Sequence, residues 1–171
     1  MGSLDVSRAI KNPGQVYPFE ADVALEPVEV LGDMVQFQDV HAEGEYLCSG
    51  EARISLRAAV SATADTRCSR CLEPVSIPVK ANVEAVFDRQ PDPEDPDLYS
   101  FTASTVELTD AVRDALLLEL PLRVLCSEDC KGLCPVCGIN LNKDTCTCQE
   151  GAEVINPFSA LKNIVLNDEE V

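Results

Sequence analysis

Nine cysteines carry most of the chemistry open to this chain of 171 residues. Eight fall into pairs: Cys68-Ser-Arg-Cys71; Cys126 and Cys130, with three residues between them; Cys134-Pro-Val-Cys137-Gly138; and Cys146-Thr-Cys148. A C-x-x-C turn reverses the chain around its sulfurs, so both thiolates reach one metal at about 2.3 Å. The Cys134–Cys137 turn is the stronger of the two. Its proline biases the turn, and Gly138 lets backbone amides swing toward sulfur without a Cβ clash. With Cys146 and Cys148 added, the four ligands have the make-up of a compact zinc site. Buried free thiols are a poor alternative, because residues 138–145 hold too little apolar mass for a core without a staple.

Cys68 and Cys71 need a second pair, and Cys126 with Cys130 is the pair left over. Eight ligands then make two sites of four. The alternative is one site drawn from the six C-terminal cysteines, with Cys68 and Cys71 as free thiols, so one or two zinc ions are expected. Two sites would tie the turn near residue 70 to the segment after the expected helix and so close the fold. A rival for Cys68 and Cys71 is thiol–disulfide redox catalysis. A redox C-x-x-C sits at a helix N-terminus, where the dipole lowers the thiol pKa. Here the motif lies between strand patterns and is followed by Pro74. Cys48 stands alone in a strand pattern and reads as a small buried hydrophobe. The single histidine, His41, lies between Asp39 and Glu43 in an expected turn and reads as a solvated side chain. A Ser-His or Cys-His nucleophile pair therefore has little support. There is no P-loop or G-x-G-x-x-G motif. These residues predict structural metal, no enzyme and no small-molecule substrate. Four-thiolate sites without a known cluster spacing favour zinc over iron.

The elements that must position these cysteines are mostly strands. Residues 14 to about 90 alternate as an antiparallel sheet would. The clearest run sets Ala52, Ile54, Leu56, Ala58, Val60, Ala62 and Ala64 against Arg53, Ser55, Arg57, Ala59, Ser61, Thr63 and Asp65. A second run sets Val79, Ala81, Val83, Ala85 and Phe87 against Lys80, Asn82 and Glu84. Val35 and Phe37 are expected to pair with Tyr46 and Cys48 across a turn at Gly44. Long strands with short links predict a meander that is either strongly twisted or curls toward a barrel. Residues 88–97, with three prolines and five acids, predict an acidic loop. Thr109 is expected to cap a mostly buried helix over 109–120. Val112, Leu116 and Leu120 lie on its inner face, Ala115, Leu117 and Leu118 widen that face, and Pro121 ends the helix. Asn156-Pro157 predicts a closing helix with Phe158, Leu161, Ile164 and Val165 in one stripe. The expected fold class is α+β. Residues 1–125 form a mainly antiparallel β domain, and 126–171 form a cysteine-rich zinc-binding segment with its helix.

Charge constrains the partner. Thirty acidic residues against thirteen basic ones give a net charge of −17, and each four-thiolate zinc site adds a further −2. Nucleic acid is bound by Lys and Arg releasing counterions, so the whole-chain field opposes it and favours a basic partner. No stretch approaches the ~18 apolar residues of a membrane span, and the N-terminus has no signal-peptide pattern. The expected address is the cytoplasm, where thiols stay reduced and clustered cysteines read as metal ligands.

Several features then line up in order. They are the alternating strands; Arg67-Cys68-Ser69-Arg70-Cys71-Leu72-Glu73; Leu118-Glu119-Leu120-Pro121-Leu122; the run from Leu125 to Asn142 containing Cys130-Lys-Gly-Leu-Cys134-Pro-Val-Cys137-Gly138; and Asn156-Pro157-Phe158 leading Leu161. Over nearly its whole length the chain resembles the YceD family of large ribosomal RNA subunit accumulation proteins. The resemblance implies a cytoplasmic ribosome biogenesis factor that supports accumulation of large-subunit ribosomal RNA. It also implies that a site at Cys68 and Cys71 is the family core and that the site of Cys134, Cys137, Cys146 and Cys148 is an addition. Joined to the charge, it leads us to expect a basic ribosomal protein or large-subunit assembly intermediate as partner. The alternative is direct ribosomal RNA contact through a local basic face of Arg67, Arg70, Arg123, Lys131 and Lys143.

Overall fold

The computed structural model describes residues 2–50, 53–91, 95 and 98–148. The chain opens with β1 (Ser3–Asp5) and a short helix, α1 (Ser7–Lys11). It then lays down β2 (Val16–Asp22), β3 (Val28–Val30) and three long strands: β4 (Asp33–Cys48), β5 (Ile54–Arg67) and β6 (Pro74–Asp88). β7 (Leu98–Ser100), β8 (Thr105–Glu107) and α2 (Thr109–Leu118) follow. The main sheet runs β2-β4-β5-β6-β7, with β3 added to β4, while β1 and β8 form a separate antiparallel pair. The class is α+β, dominated by sheet.

Period-two alternation sets the centre of the sheet. β5 and β6 pair without interruption from Ile54↔Phe87 to Arg67↔Pro74. Their inward residues, Ile54, Leu56, Val60, Ala64, Val79, Val83 and Phe87 among them, are buried. Alanines at 58, 62, 81 and 85 on the same face leave room for α2 to pack against both strands. Val6, Ala9, Phe101, Val106 and Leu108 complete this core. Cys48 is buried in it, as a small apolar side chain would be.

Several expectations are corrected. There is no turn at Gly44, which lies inside β4 opposite Phe19 of β2. A Cβ at Gly44 would come within 2.6 Å of the Ala58 Cα, so a close strand approach, not a turn, requires the glycine. The same strand explains why Val35 and Phe37 differ in parity from Tyr46 and Cys48. The register with β5 shifts between Gln38 and His41, and Asp39 takes φ 51°, so a bulge flips the phase while the strand continues. His41 therefore lies in β4, not in a turn. Its Nδ1 is 2.8 Å from Asp22 Oδ1, and this hydrogen bond, with Asp22, Glu20 and Glu43 nearby, raises its pKa.

The sheet is open rather than barrel-like, since β2 and β7 are its two ends. Nor is it wholly antiparallel, for β7 runs parallel to β6, with Phe87 opposite Tyr99. The chain after Asp88 doubles back, and the Phe101 amide donates to the Asp88 carbonyl. The acidic loop is thus shorter than expected at its start, because Asp88 still belongs to β6; residues 92–94, 96 and 97 lie outside the described residues. Helix α2 buries one face, through Ala111, Val112 and Leu116, and Leu118 is exposed. Its first helical residue is Thr109, no side chain caps it, and it stops at Leu118. The expected helix after Asn156 lies outside the described residues, as does Ala52.

Candidate metal centre

Two groups of four cysteines form. Cys68, Cys71, Cys126 and Cys130 make one, and Cys134, Cys137, Cys146 and Cys148 the other. Within each group all four sulfurs lie within 4.8 Å of one another. None of the nine cysteines is in a disulfide.

The first group is built on the hairpin joining β5 to β6. Thr66 and Arg67 end one strand, Pro74 begins the next, and Cys68 to Glu73 form the turn between them. The Cys68 amide donates to the Glu73 carbonyl at 2.8 Å, and the Leu72 amide to the Cys68 carbonyl at 2.9 Å. The chain after α2 is clipped to this turn: the Ser69 amide donates to the Val124 carbonyl, and the Val124 amide to Ser69 Oγ. That clip delivers Cys126, and the Arg70 guanidinium holds the Cys130 carbonyl at 2.8 Å. Gly132 has φ 75°, and a Cβ there would come 3.1 Å from the Arg70 carbonyl. Cys68, Cys71 and Cys130 are buried against Val75, Leu125 and Leu133, while Cys126 is exposed.

The second group repeats the same turn. The Cys134 amide donates to the Ile139 carbonyl at 2.8 Å, and the Gly138 amide to the Cys134 carbonyl at 2.9 Å. Gly138 takes φ 74° with open space where its Cβ would be. Its value is the left-handed backbone, not the avoided clash the sequence suggested. Here only Cys134 is buried; Cys137 is exposed, and Cys146 and Cys148 are half-buried.

The sulfur geometry fits a tetrahedral dication. Four sulfurs about 2.3 Å from one zinc stand roughly 3.8 Å apart. Cys68 and Cys130 are 3.8 Å apart, Cys71 and Cys126 3.6 Å, Cys137 and Cys146 3.5 Å, and Cys134 and Cys146 3.3 Å. The electrostatics also fit. Burial pushes the Cys68 thiol up, but the amides of Arg70, Cys71 and Cys126 outweigh it and bring it down to about 6. The amides of Cys137 and Val136 bring Cys134 down to about 6. Burial opposes ionisation of Cys130, yet the Asn142 side-chain amide and the Gly132 amide lower its pKa overall. Cys71, Cys126, Cys146 and Cys148 shift the other way. The Glu73 amide favours the Cys71 thiolate, but burial and the sulfurs of Cys68, Cys126 and Cys130 outweigh it and push Cys71 up to about 12. Cys126 is raised beside Cys130. Cys148 is pushed up to about 12 by Cys146 and Cys137. Four clustered thiols cannot all ionise alone, and a bound dication takes the place of their protons.

The basic residues near these groups do not form one free face. The Arg70 guanidinium is engaged by the Cys130 carbonyl, and Lys143 Nζ lies 2.7 Å from Glu73 Oε1. Arg67, Arg123 and Lys131 are exposed. Sequence reasoning missed Glu73, Asn140 and Asn142, which join the two groups. Asn140 donates to Glu73 Oε1 at 3.2 Å and Asn142 to Cys130 Sγ at 3.3 Å. The available signal was the Asn-Leu-Asn-Lys run inside a segment otherwise read only as a spacer.

Among the described residues, no helix is long and apolar enough to cross a membrane. Comparison with known proteins finds an uncharacterised Mycobacterium tuberculosis protein that is 28% identical over 150 residues, covering 81% of this chain and 70% of that protein. The Bacillus subtilis protein YlbN is 28% identical over 127 residues, 72% of this chain and 73% of its own. A maize protein named as a chloroplastic YCED homolog of the large ribosomal RNA subunit accumulation proteins is 26% identical over 130 residues, 57% of this chain and 44% of that protein. No solved structure gives a significant match. The profile of the large ribosomal RNA subunit accumulation protein YceD matches residues 56–165, a span that includes all eight clustered cysteines. The chain belongs to the YceD family, whose name assigns its members a role in accumulation of large-subunit ribosomal RNA.

Proposed function

We propose that this chain is a non-catalytic, cytoplasmic ribosome biogenesis factor, stabilised by two structural zinc ions and acting on a basic ribosomal protein or a large-subunit assembly intermediate. Family membership supports the process, and the net charge of −17 carries the choice of partner. A surface of that sign attracts basic protein and repels free polyphosphate. In this reading Cys68, Cys71, Cys126 and Cys130 hold one zinc, and Cys134, Cys137, Cys146 and Cys148 the other. Bound zinc supplies four coordinate bonds per site that cross-link segments distant in sequence. Full coordination by four protein sulfurs leaves no open position for substrate, as in structural sites. The reading also divides the chain into a β domain over 1–125 and a zinc-binding segment over 126–171.

The burial of Cys68 and Cys71 in a strand-to-strand turn, with no helix beginning there, weighs against thiol–disulfide exchange. Direct ribosomal RNA contact is the second reading, and the exposed Arg67, Arg123 and Lys131 favour it. Affinity capture from the native cell at moderate salt, with and without RNase, separates the two. Ribosomal proteins retained after RNase support the protein partner. Their loss, together with submicromolar binding to purified large-subunit RNA that Arg67→Glu and Arg123→Glu abolish, transfers the function to RNA.

A further inference from the structure

We propose that the two cysteine centres are coupled through Asn142, so that metal in the exposed second centre controls how tightly the buried first centre holds its own. The proposal rests on the metal reading above. Asn142 lies in the loop between Cys137 and Cys146, so metal at the second centre closes that loop. Yet its side chain serves the first centre. Nδ2 donates to Cys130 Sγ at 3.3 Å, and Oδ1 accepts the Lys131 amide at 2.8 Å. The loop is fixed on this side by further bonds. The Leu141 amide donates to the Gly132 carbonyl at 2.9 Å, and the Leu133 amide to the Arg70 carbonyl at 3.1 Å. Glu73, within the first cysteine turn, accepts from both Asn140 and Lys143. A hydrogen bond to a metal-bound thiolate withdraws charge from sulfur and fixes its direction, and losing such a partner costs roughly 10–100-fold in metal affinity.

An order of events follows. Three of the first centre's four cysteines are buried, all but Cys126, against only Cys134 in the second, so a chelator reaches the second centre first. Emptying it frees the loop, removes Asn142 from Cys130 and Lys143 from Glu73, and speeds metal loss from the first. Asn142 is thus a positioning residue for a site to which it contributes no ligand.

The test uses the zinc-loaded full chain and a chromogenic zinc chelator, with alkylation mapping to assign each phase of release. Wild type should release zinc in two phases, with Cys68 and Cys71 becoming alkylatable in the slower one. Asn142→Ala should speed the slow phase about 10–100-fold. Asn142→Asp, which keeps the acceptor for the Lys131 amide but loses the donor, should do at least as much. Cys137→Ser with Cys146→Ser should bind one zinc and lose it at the accelerated rate. Adding Asn142→Ala to that variant should change nothing further, because the two act in one path. With cobalt in place of zinc, the sulfur-to-metal charge-transfer band should move to lower energy in Asn142→Ala, which a purely structural role would not produce. Two zincs with an unchanged slow phase, or additive effects in the combined variant, would overturn the coupling and leave the metal reading intact. A single zinc per wild-type chain would overturn both.

Discussion

The two cysteine turns are the same device set in different surroundings. In each, the first cysteine's amide donates five residues ahead, and the amide four residues on returns to its carbonyl. In each, that fourth residue takes a left-handed backbone: Leu72 at φ 61° and Gly138 at φ 74°. The first turn is held by two long paired strands and is buried against Val75, Leu125 and Leu133. Among the described residues the second has only the isolated bridge between Leu133 and Asn140 at its base, and bonds from the Leu133 amide to Arg70 and from the Asn140 side chain to Glu73 tie it to the first. A strand-mounted turn can carry a leucine in a strained conformation because the sheet determines it from both ends. A turn with little support needs glycine there. The comparison teaches that the first centre belongs to the fold and the second is fastened to it.

The largest effect should come from removing one centre or the other. Cys68→Ser should destabilise the whole sheet by about 2–5 kcal/mol, the scale of losing a native cross-link. Cys134→Ser with Cys137→Ser should loosen residues 126–148 and leave β4, β5 and β6 protected. Hydrogen exchange resolves the two cases, and equal loss of sheet protection in both variants would break the comparison. Acidification should act on both centres alike. Near neutral pH, metal must displace protons from Cys71 and Cys126 in one centre and from Cys146 and Cys148 in the other, all raised thiols. With at least these two protons displaced per ion, zinc affinity should fall roughly 100-fold or more for each pH unit lowered. It should fall more steeply below about 6, where Cys68 and Cys134 also take protons. Zinc competition titrations between pH 6 and 8 measure the slope, and less than tenfold per unit would contradict the proton count. The smallest effects belong to the turn residues. Gly138→Leu should cost about 1–2 kcal/mol, the penalty of a left-handed side chain. Leu72→Gly should be neutral or stabilising by up to about 1 kcal/mol, since Leu72 is 53% exposed and loses little burial. Thermal unfolding of the zinc-loaded variants checks both. A strongly destabilised Leu72→Gly would mean that its side chain, not its backbone, matters.

Much of this arrangement was legible because its cause is periodic. β5 and β6 alternate without a break, so Ile54 to Ala64 and Val79 to Phe87 could be read as the inward-facing residues of two strands. The position of Cys68 and Cys71 in the turn followed from that. The bulge at Asp39 and Val40 was not legible, because one inserted residue looks like the end of one pattern and the start of another. Gly44 then drew a turn that the close approach of Ala58 explains better. The short strands β1, β7 and β8, three residues each, carry no period at all and depend on pairing with distant chain. Counting cysteines left one centre or two open, since spacing cannot say which pairs meet across 55 residues; the contact between the Cys71 and Cys126 sulfurs brings them together. Asn142 was invisible for the same reason, as its partner, Cys130, belongs to the other centre.

The central claim is that all eight clustered thiols are spent on two metal centres. Elemental analysis and native mass spectrometry of protein purified without added metal, combined with alkylation of the folded chain, test it most directly. The account predicts two zinc ions per chain and no labelling of Cys68, Cys71, Cys126, Cys130, Cys134, Cys137, Cys146 or Cys148 until chelator is added, with Cys48 reacting only on unfolding. One zinc per chain, with Cys68 and Cys71 labelled in the folded protein, would contradict it.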